Sequence, residues 1–142
     1  MYKRQDLVGS SAADFGVHFD PVGERINIVD EKGHVIDDGR ALLVIVDLVA
    51  AERRRGRVAL PVTTTRVAEQ VSRFHGVDIR WTGTSPEDLA GAALVDGTLL
   101  AGDGRGGFVI PEVGTALDGM AAFVRLLGLV ARTQLTLSLI HI

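Results

Sequence analysis

Residues 58–81 read VALPVTTTRVAEQVSRFHGVDIRW, and their pattern decides the fold. Val58–Val62 is a short apolar run of strand character. Thr63-Thr64-Thr65 offers hydroxyls suited to capping a helix. Arg66–Phe74 spaces its apolar residues at helical intervals, and Gly76 stops it. Val77–Trp81 then returns to extended character. Strand, turn, helix and strand in so short a span begin an alternation that builds a helix-covered sheet.

The alternation extends in both directions. Downstream, Ser85-Pro86-Glu87-Asp88 has a Ser cap, Pro at the first helical position and acids in the first turn, so a short helix runs to about Ala93. Thr98–Ala101 is a strand leading into Gly102-Asp103-Gly104-Arg105-Gly106-Gly107, and Phe108–Ile110 resumes extended structure. Asp118-Gly119 opens a last helix through about Gln134, apolar at Met120, Phe123, Val124, Leu127 and Val130. Upstream, Asp37-Asp38-Gly39 places acid before a helix from Ala41 to about Arg54, with Leu42, Val46, Val49 and Ala50 on one side. Gly56 is its expected stop. From Gly39 onward the expectation is therefore α/β: a mixed sheet covered by helices. The segment before Gly39 lacks the alternation. Asp14–Phe19, Ile26–Val29 and His34–Ile36 are short strands joined by Asp20–Arg25 and the Glu31-Lys32-Gly33 turn. They look like a β-hairpin remnant of a preceding domain.

Composition bounds the function. The chain has 142 residues, 46% of them apolar and 23% charged, a balance that supports a folded core. Cysteine is absent, which excludes disulfides and thiolate metal sites and fits a reducing, cytoplasmic compartment. A net charge of −3 argues against nucleic acid as a partner. No apolar run approaches the roughly 20 residues that span a bilayer, so no membrane partner is expected.

The two ends invite a separate reading. Written as DNA, Met1-Tyr2-Lys3-Arg4-Gln5 can be GTG-TAT-AAG-AGA-CAG, with GTG as a start codon. The reverse complement, CTG-TCT-CTT-ATA-CAC, encodes Leu137-Ser138-Leu139-Ile140-His141. The expectation is that residues 1–5 and 137–142 derive from a translated sequencing adapter. Without Lys3 and Arg4 the basic count falls from 15 to 13, and 13 − 18 gives −5.

Three segments carry candidate chemistry. Asp20 and Glu24 are acids at alternate positions of a tight loop, followed by Arg25. Such carboxylates can converge on a hard cation such as Mg²⁺, but the position between them is Val22, which cannot ligate. A weak ion site and a solvated hairpin loop both fit the spacing. Asp103, Gly104, Arg105 and Gly106 form a loop that lets backbone N–H groups approach a ligand, with Arg105 able to fork onto a phosphate or carboxylate. A flexible turn fits too. Thr63, Thr64 and Thr65 precede a helix, whose N-terminus attracts anions, although simple capping explains them equally. His18, His34 and His75 are dispersed, and none has the partners of a catalytic triad.

In this order the loops resemble the α-D-phosphohexomutase superfamily of phosphomannomutases and phosphoglucomutases. Ala13–Pro21 resembles the approach to that family's metal loop, and Ile28–Gly33 the strand and turn after it. Leu60–Thr65 resembles the strand and hydroxyl-rich turn of the third domain, and Gly102–Gly106 falls at its sugar-binding loop. The resemblance implies that residues 6–38 are the C-terminal hairpin of the second domain and 39–136 the third domain. It implies hexose phosphate as substrate, Mg²⁺ as cofactor at Asp20 and Glu24, and support from Arg25 and Thr63–Thr65. Asp103–Gly106 would contact the sugar.

The chain also departs from the family. The metal loop Asp-x-Asp-x-Asp-Arg is here Asp20, Val22, Glu24, Arg25. The sugar loop Gly-Glu-x-Ser-Gly-His has Asp103 for Glu, Arg105 for Ser and Gly107 for His. Glu87 stands where a phosphate-binding lysine belongs. The phosphoserine loop and fourth domain have no counterpart in these residues, so no catalytic residue is assigned and the remaining domains of a parent chain are expected partners. Losing one carboxylate and the lysine implies several kcal/mol less transition-state stabilisation. Two readings follow. The parent is a mutase-like enzyme, degenerate in catalysis, or the C-terminal part of a mannose-1-phosphate guanylyltransferase-type nucleotidyltransferase. Alternatively the chain is a non-catalytic sugar-phosphate-binding or scaffolding module.

Overall fold

A computed structural model describes the backbone of residues 2–140 and the side chains of residues 6–140. Met1, His141 and Ile142, all within the expected adapter-derived ends, lie outside the described residues. The elements run α1 (Tyr2–Ser11), β1 (Phe15–Phe19), β2 (Ile26–Asp30), β3 (Val35–Ile36), α2 (Asp38–Arg53), β4 (Arg57–Pro61), α3 (Val67–Phe74), β5 (Asp78–Thr82), α4 (Pro86–Ala93), β6 (Thr98–Gly102), β7 (Phe108–Val109) and α5 (Gly119–Thr133), then a 3-10 turn at Leu137–Leu139. The alternation expected from Gly39 onward is present in full. The helix α1 is not foreshadowed by any periodicity noted above.

The strands form two sheets. One is antiparallel, in the order β1-β2-β3, and the other is mixed, in the order β5-β4-β6-β7. In the second, β4 pairs in parallel with β5 and β6, while β7 returns antiparallel to β6. Strand periodicity explains how both faces of this sheet are covered. Val58 and Leu60 of β4 and Leu100 of β6 point into the main core, whereas Ala59 and Ala101 point to the other face. There they meet Leu89, Ala92 and Ala93 of α4.

The main core contains α2 as its centre. Sequence spacing suggested one buried side, but Leu42, Leu43, Val44, Ile45, Val46, Leu48 and Val49 are all buried. A helix apolar all round must be covered all round, here by α3, α5 and β6 with the antiparallel sheet's Ile26, Ile28 and Ile36 in the same cluster. The packing thus runs without a break across residues 38 and 39. Leu137 and Ile140 also belong to this cluster.

Helix ends follow their side chains. Asp37 caps α2 by accepting from Arg40 N at 3.0 Å, and Asp118 caps α5 by accepting from Ala121 N at 2.9 Å. At α4, Ser85 and Asp88 form a capping box with Pro86 behind the cap, as their spacing predicts. Two expectations fail. The left-handed residue ending α2 is Arg54, with φ 57°, rather than Gly56. The expected threonine cap of α3 reduces to one 3.4 Å contact from Val67 N to Thr65 Oγ1, and Arg66 occupies the cap position. Arg66 instead lies 4.5 Å over the Trp81 ring, whose Nε1 donates to Glu69.

On α5 the apolar stripe read from the sequence faces largely outward. Met120, Val124 and Leu127 are exposed, while Ala122, Leu126, Leu129 and Val130 fill the core. The helix is apolar on two sides, so spacing alone cannot say which is buried.

Glu52 near the end of α2 joins α5 through ion pairs with Arg125 and Arg132. Burial alone would raise its carboxyl pKa. The Arg125 hydrogen bond and the charges of Arg125, Arg132 and Arg53 outweigh burial and hold it below its ordinary value. A carboxylate lowered on folding stabilises above its unfolded pKa, and that contribution is lost as pH falls through the folded value. We expect Glu52→Gln to cost about 1 kcal/mol at pH 7, a Tm lower by about 3 °C. The gap between the two proteins should close as the pH is taken well below about 4. Thermal unfolding of both proteins from pH 7 to pH 3 measures it.

Candidate functional site

The loop after β1 is closed by its own acid. Asp20 Oδ1 accepts from Glu24 N at 2.8 Å and Arg25 N at 3.2 Å, and Asp20 N donates to the Arg25 carbonyl. The turn is held from below by α5, where Gly119 N donates to the Gly23 carbonyl at 2.8 Å. This close approach leaves no room for a side chain at position 119, since a Cβ there would lie 2.7 Å from that oxygen.

The loop between β6 and β7 is closed in the same way. Asp103 Oδ1 accepts from Arg105 N at 2.7 Å and Gly107 N at 2.8 Å. Its side chain is only 8% exposed, and Oδ2 accepts from Arg25 Nε at 3.0 Å. Backbone pairing joins the loops too, as Ile26 N donates to the Gly106 carbonyl at 2.9 Å and Arg25 forms an antiparallel bridge with Gly107. Two turns far apart in sequence are thus fastened by one ion pair and a short strip of sheet.

Two adjoining cavities open on this joint. The larger, about 470 Å³, is lined by Arg25, Thr63, Thr84, Asp103 and Arg105, with Leu89 and Leu117 among its apolar walls. The smaller, about 300 Å³, shares Arg25, Pro86 and Leu117 and adds Glu24, Glu87 and Thr115. The larger carries two guanidinium groups, one already paired to Asp103, so Arg105 is its unpaired cation among the described residues. A charged oxygen entering there would meet Arg105 and the hydroxyls of Thr63 and Thr84.

Of the residues singled out by sequence, the structure brings Glu24, Arg25, Thr63, Asp103 and Arg105 to this joint cleft. Gly104 and Gly106 shape the loop with φ of 74° and 84°. Thr64 and Thr65 do not line either cavity. Thr84 and Leu117 went unnoticed, since one follows β5 and the other precedes α5 in turns without motif character.

The donor set does not fit Mg²⁺. Asp20 spends Oδ1 on the turn's backbone, Val22 is 73% exposed, and Glu24 Oε2 lies 3.8 Å from Arg25 Nη1. Among the described residues no group of three or more His, Asp or Glu side chains converges as a metal centre requires. The expected pair of ligands, Asp20 and Glu24, thus has no third side-chain ligand beside it among the described residues.

Among the described residues no helix is long and apolar enough to cross a membrane. No family model matches the chain. It is similar to the phosphoglucosamine mutase of Sinorhizobium medicae, with 29% identity over 136 residues, 94% of this chain and 30% of that protein. The phosphoglucomutase/phosphomannomutase of Thermococcus kodakarensis is 23% identical over 128 residues, 90% of this chain and 28% of that one. Among solved structures, a phosphoglucomutase/phosphomannomutase family protein from Burkholderia thailandensis superposes with a TM-score of 0.76 at 24% identity, covering 89% of this chain and 28% of that chain. The last comparison speaks to the fold, which agrees with the mixed sheet and its helices. The chain spans about 30% of the length of the curated relatives it matches, and over that span it is homologous to the α-D-phosphohexomutases, its homologues being phosphoglucosamine mutases and phosphoglucomutase/phosphomannomutases.

Proposed function

We propose that this chain supplies the sugar-phosphate cleft of a phosphohexomutase-like protein. In this reading residues 6–38 correspond to the hairpin of the second domain and 39–136 to the third. The parent would transfer a phosphoryl group within a hexose phosphate. The chain alone binds the ligand without turning it over, because the phosphorylated nucleophile and a further phosphate site belong to the remaining domains. The observation that carries the reading is the Arg25–Asp103 pair, which puts Arg25, Arg105 and Thr63 on the wall of one cavity of sugar-phosphate size.

The chain's own groups would act by holding and orienting. Asp103 fixes Arg25 through Nε and fixes the loop through two backbone N–H groups, so the cleft is preorganised before a ligand arrives. Arg105 is exposed and free to close on an anionic oxygen, and Thr63 and Thr84 can donate to ligand oxygens. Attachment to a nucleotidyltransferase and residence in the cytoplasm belong to the same proposal. The absence of cysteine supports the latter.

Titration of the ¹⁵N-labelled chain with glucose 6-phosphate tests the reading. Amide shifts should cluster at Thr63, Arg25 and Gly102–Gly107. Arg105→Ala should weaken binding about tenfold, in line with one charge-assisted hydrogen bond. Shifts spread elsewhere, or none at millimolar ligand, would leave the second reading, a scaffolding module.

A further inference from the structure

The acidic turn has the outline of a cation site with one position unfilled, and a cation of another kind stands beside it. Carboxylates occupy positions 20 and 24, and position 22 between them is an exposed valine. Asp20 Oδ1 is taken by two backbone N–H groups. The turn's other acid, Glu24, lines the smaller cavity with Glu87 and already has Arg25 Nη1 at 3.8 Å. Arg25 cannot readily withdraw, because its Nε is held by Asp103 and its backbone by the bridge to Gly107. A divalent ion brought to Glu24 would meet this fixed positive charge, and among the described residues no three acidic or histidine side chains converge to offset it.

We infer that in this cleft the fixed guanidinium of Arg25 serves as the cation in place of a divalent metal, and that Val22 is the residue which sets that choice. The inference rests on the cleft reading only for the ligand that Arg25 would face. The statement about metal concerns the turn alone and is tested separately.

The first arm uses Mn²⁺ as a paramagnetic probe on the ¹⁵N-labelled chain. The wild-type protein should show no selective broadening of the amides of residues 20–25 at equimolar Mn²⁺. Val22→Asp restores alternate acids at 20, 22 and 24 on an exposed turn position that tolerates the change. It should broaden those amides and bind Mn²⁺ at least about tenfold more tightly than wild type, whereas Val22→Asn should not. Selective broadening in wild type that Asp20→Asn removes would overturn the inference. So would a Val22→Asp protein, folded by its amide spectrum, that gains nothing.

The second arm repeats the glucose 6-phosphate titration in EDTA and in excess Mg²⁺. Equal affinity in the two buffers is expected. Binding that appears only with Mg²⁺ would overturn the inference while leaving the cleft reading intact. Absence of binding in both would overturn the cleft reading, and the Mn²⁺ results would still decide the question of metal.

Discussion

Gly106→Ala is expected to lower stability by about 3 kcal/mol and the Tm by roughly 10 °C. Two costs add. Residue 106 has φ 84°, where an L side chain is strained by about 1–2 kcal/mol. A Cβ there would also lie 2.4 Å from the Ile26 carbonyl oxygen, which is backbone and cannot rotate away. Relief requires the β6–β7 loop to back off from β2, and that movement stretches the 2.9 Å bond from Ile26 N to the Gly106 carbonyl. Gly104→Ala provides the comparison. Its φ of 74° carries the same strain, but a Cβ there meets nothing within 4 Å, so its cost should stay near 1 kcal/mol. Urea unfolding of the two variants separates conformational strain from the clash. Equal losses would mean that the contact between the loops contributes nothing to stability.

The order of elements was legible because periodicity, caps and glycines agree locally. The capping box at Ser85–Asp88 and the caps at Asp37 and Asp118 are interactions within one turn, which sequence spacing encodes directly. Burial was less legible. The helices α2 and α5 are both rich in Leu, Val and Ala. One is enclosed, and the other presents Met120, Val124 and Leu127 to solvent. The difference lies in what surrounds each helix, which spacing does not encode.

The candidate site divides along the same line. The residue types of the two loops could be picked out as polar, glycine-rich turns, and the cleft between them follows from their pairing. That pairing is long-range, 78 residues from Arg25 to Asp103, and no local pattern reports it. It also changes what the acids do. Asp20 and Asp103 were expected to face a metal and a sugar, yet each turns an oxygen inward to hold backbone N–H groups of its own loop. An aspartate at the start of a tight turn has this alternative open to it, because its short side chain reaches the amides two to five residues on. Glu24, longer by one methylene, stays outside and lines the cleft.

Asp103→Ala is the variant expected to undo the joint. Three donors converge on this carboxylate: Arg105 N, Gly107 N and Arg25 Nε. Removing it leaves Gly107 N, within a buried residue, without its side-chain acceptor, and frees a guanidinium to swing into the cleft. Orphaned donors of this kind cost about 1–3 kcal/mol each, so a total near 3 kcal/mol is expected after discounting Arg25 and Arg105, which water can reach. Asp103→Asn should recover most of it: its amide oxygen can keep both backbone N–H groups that Oδ1 held, and only the Arg25 bond is lost, with the NH₂ then facing Nε. Arg25→Ala should cost less, because the two backbone N–H groups continue to hold the carboxylate. A double-mutant cycle across Arg25 and Asp103 should give a coupling of about 1–2 kcal/mol in urea midpoints, with an unchanged dependence on denaturant. The ranking is the decisive part. If Arg25→Ala proves as damaging as Asp103→Ala, the ion pair itself joins the loops; if the aspartate is worse, as expected, its grip on its own loop comes first and Arg25 is aimed by a turn already made.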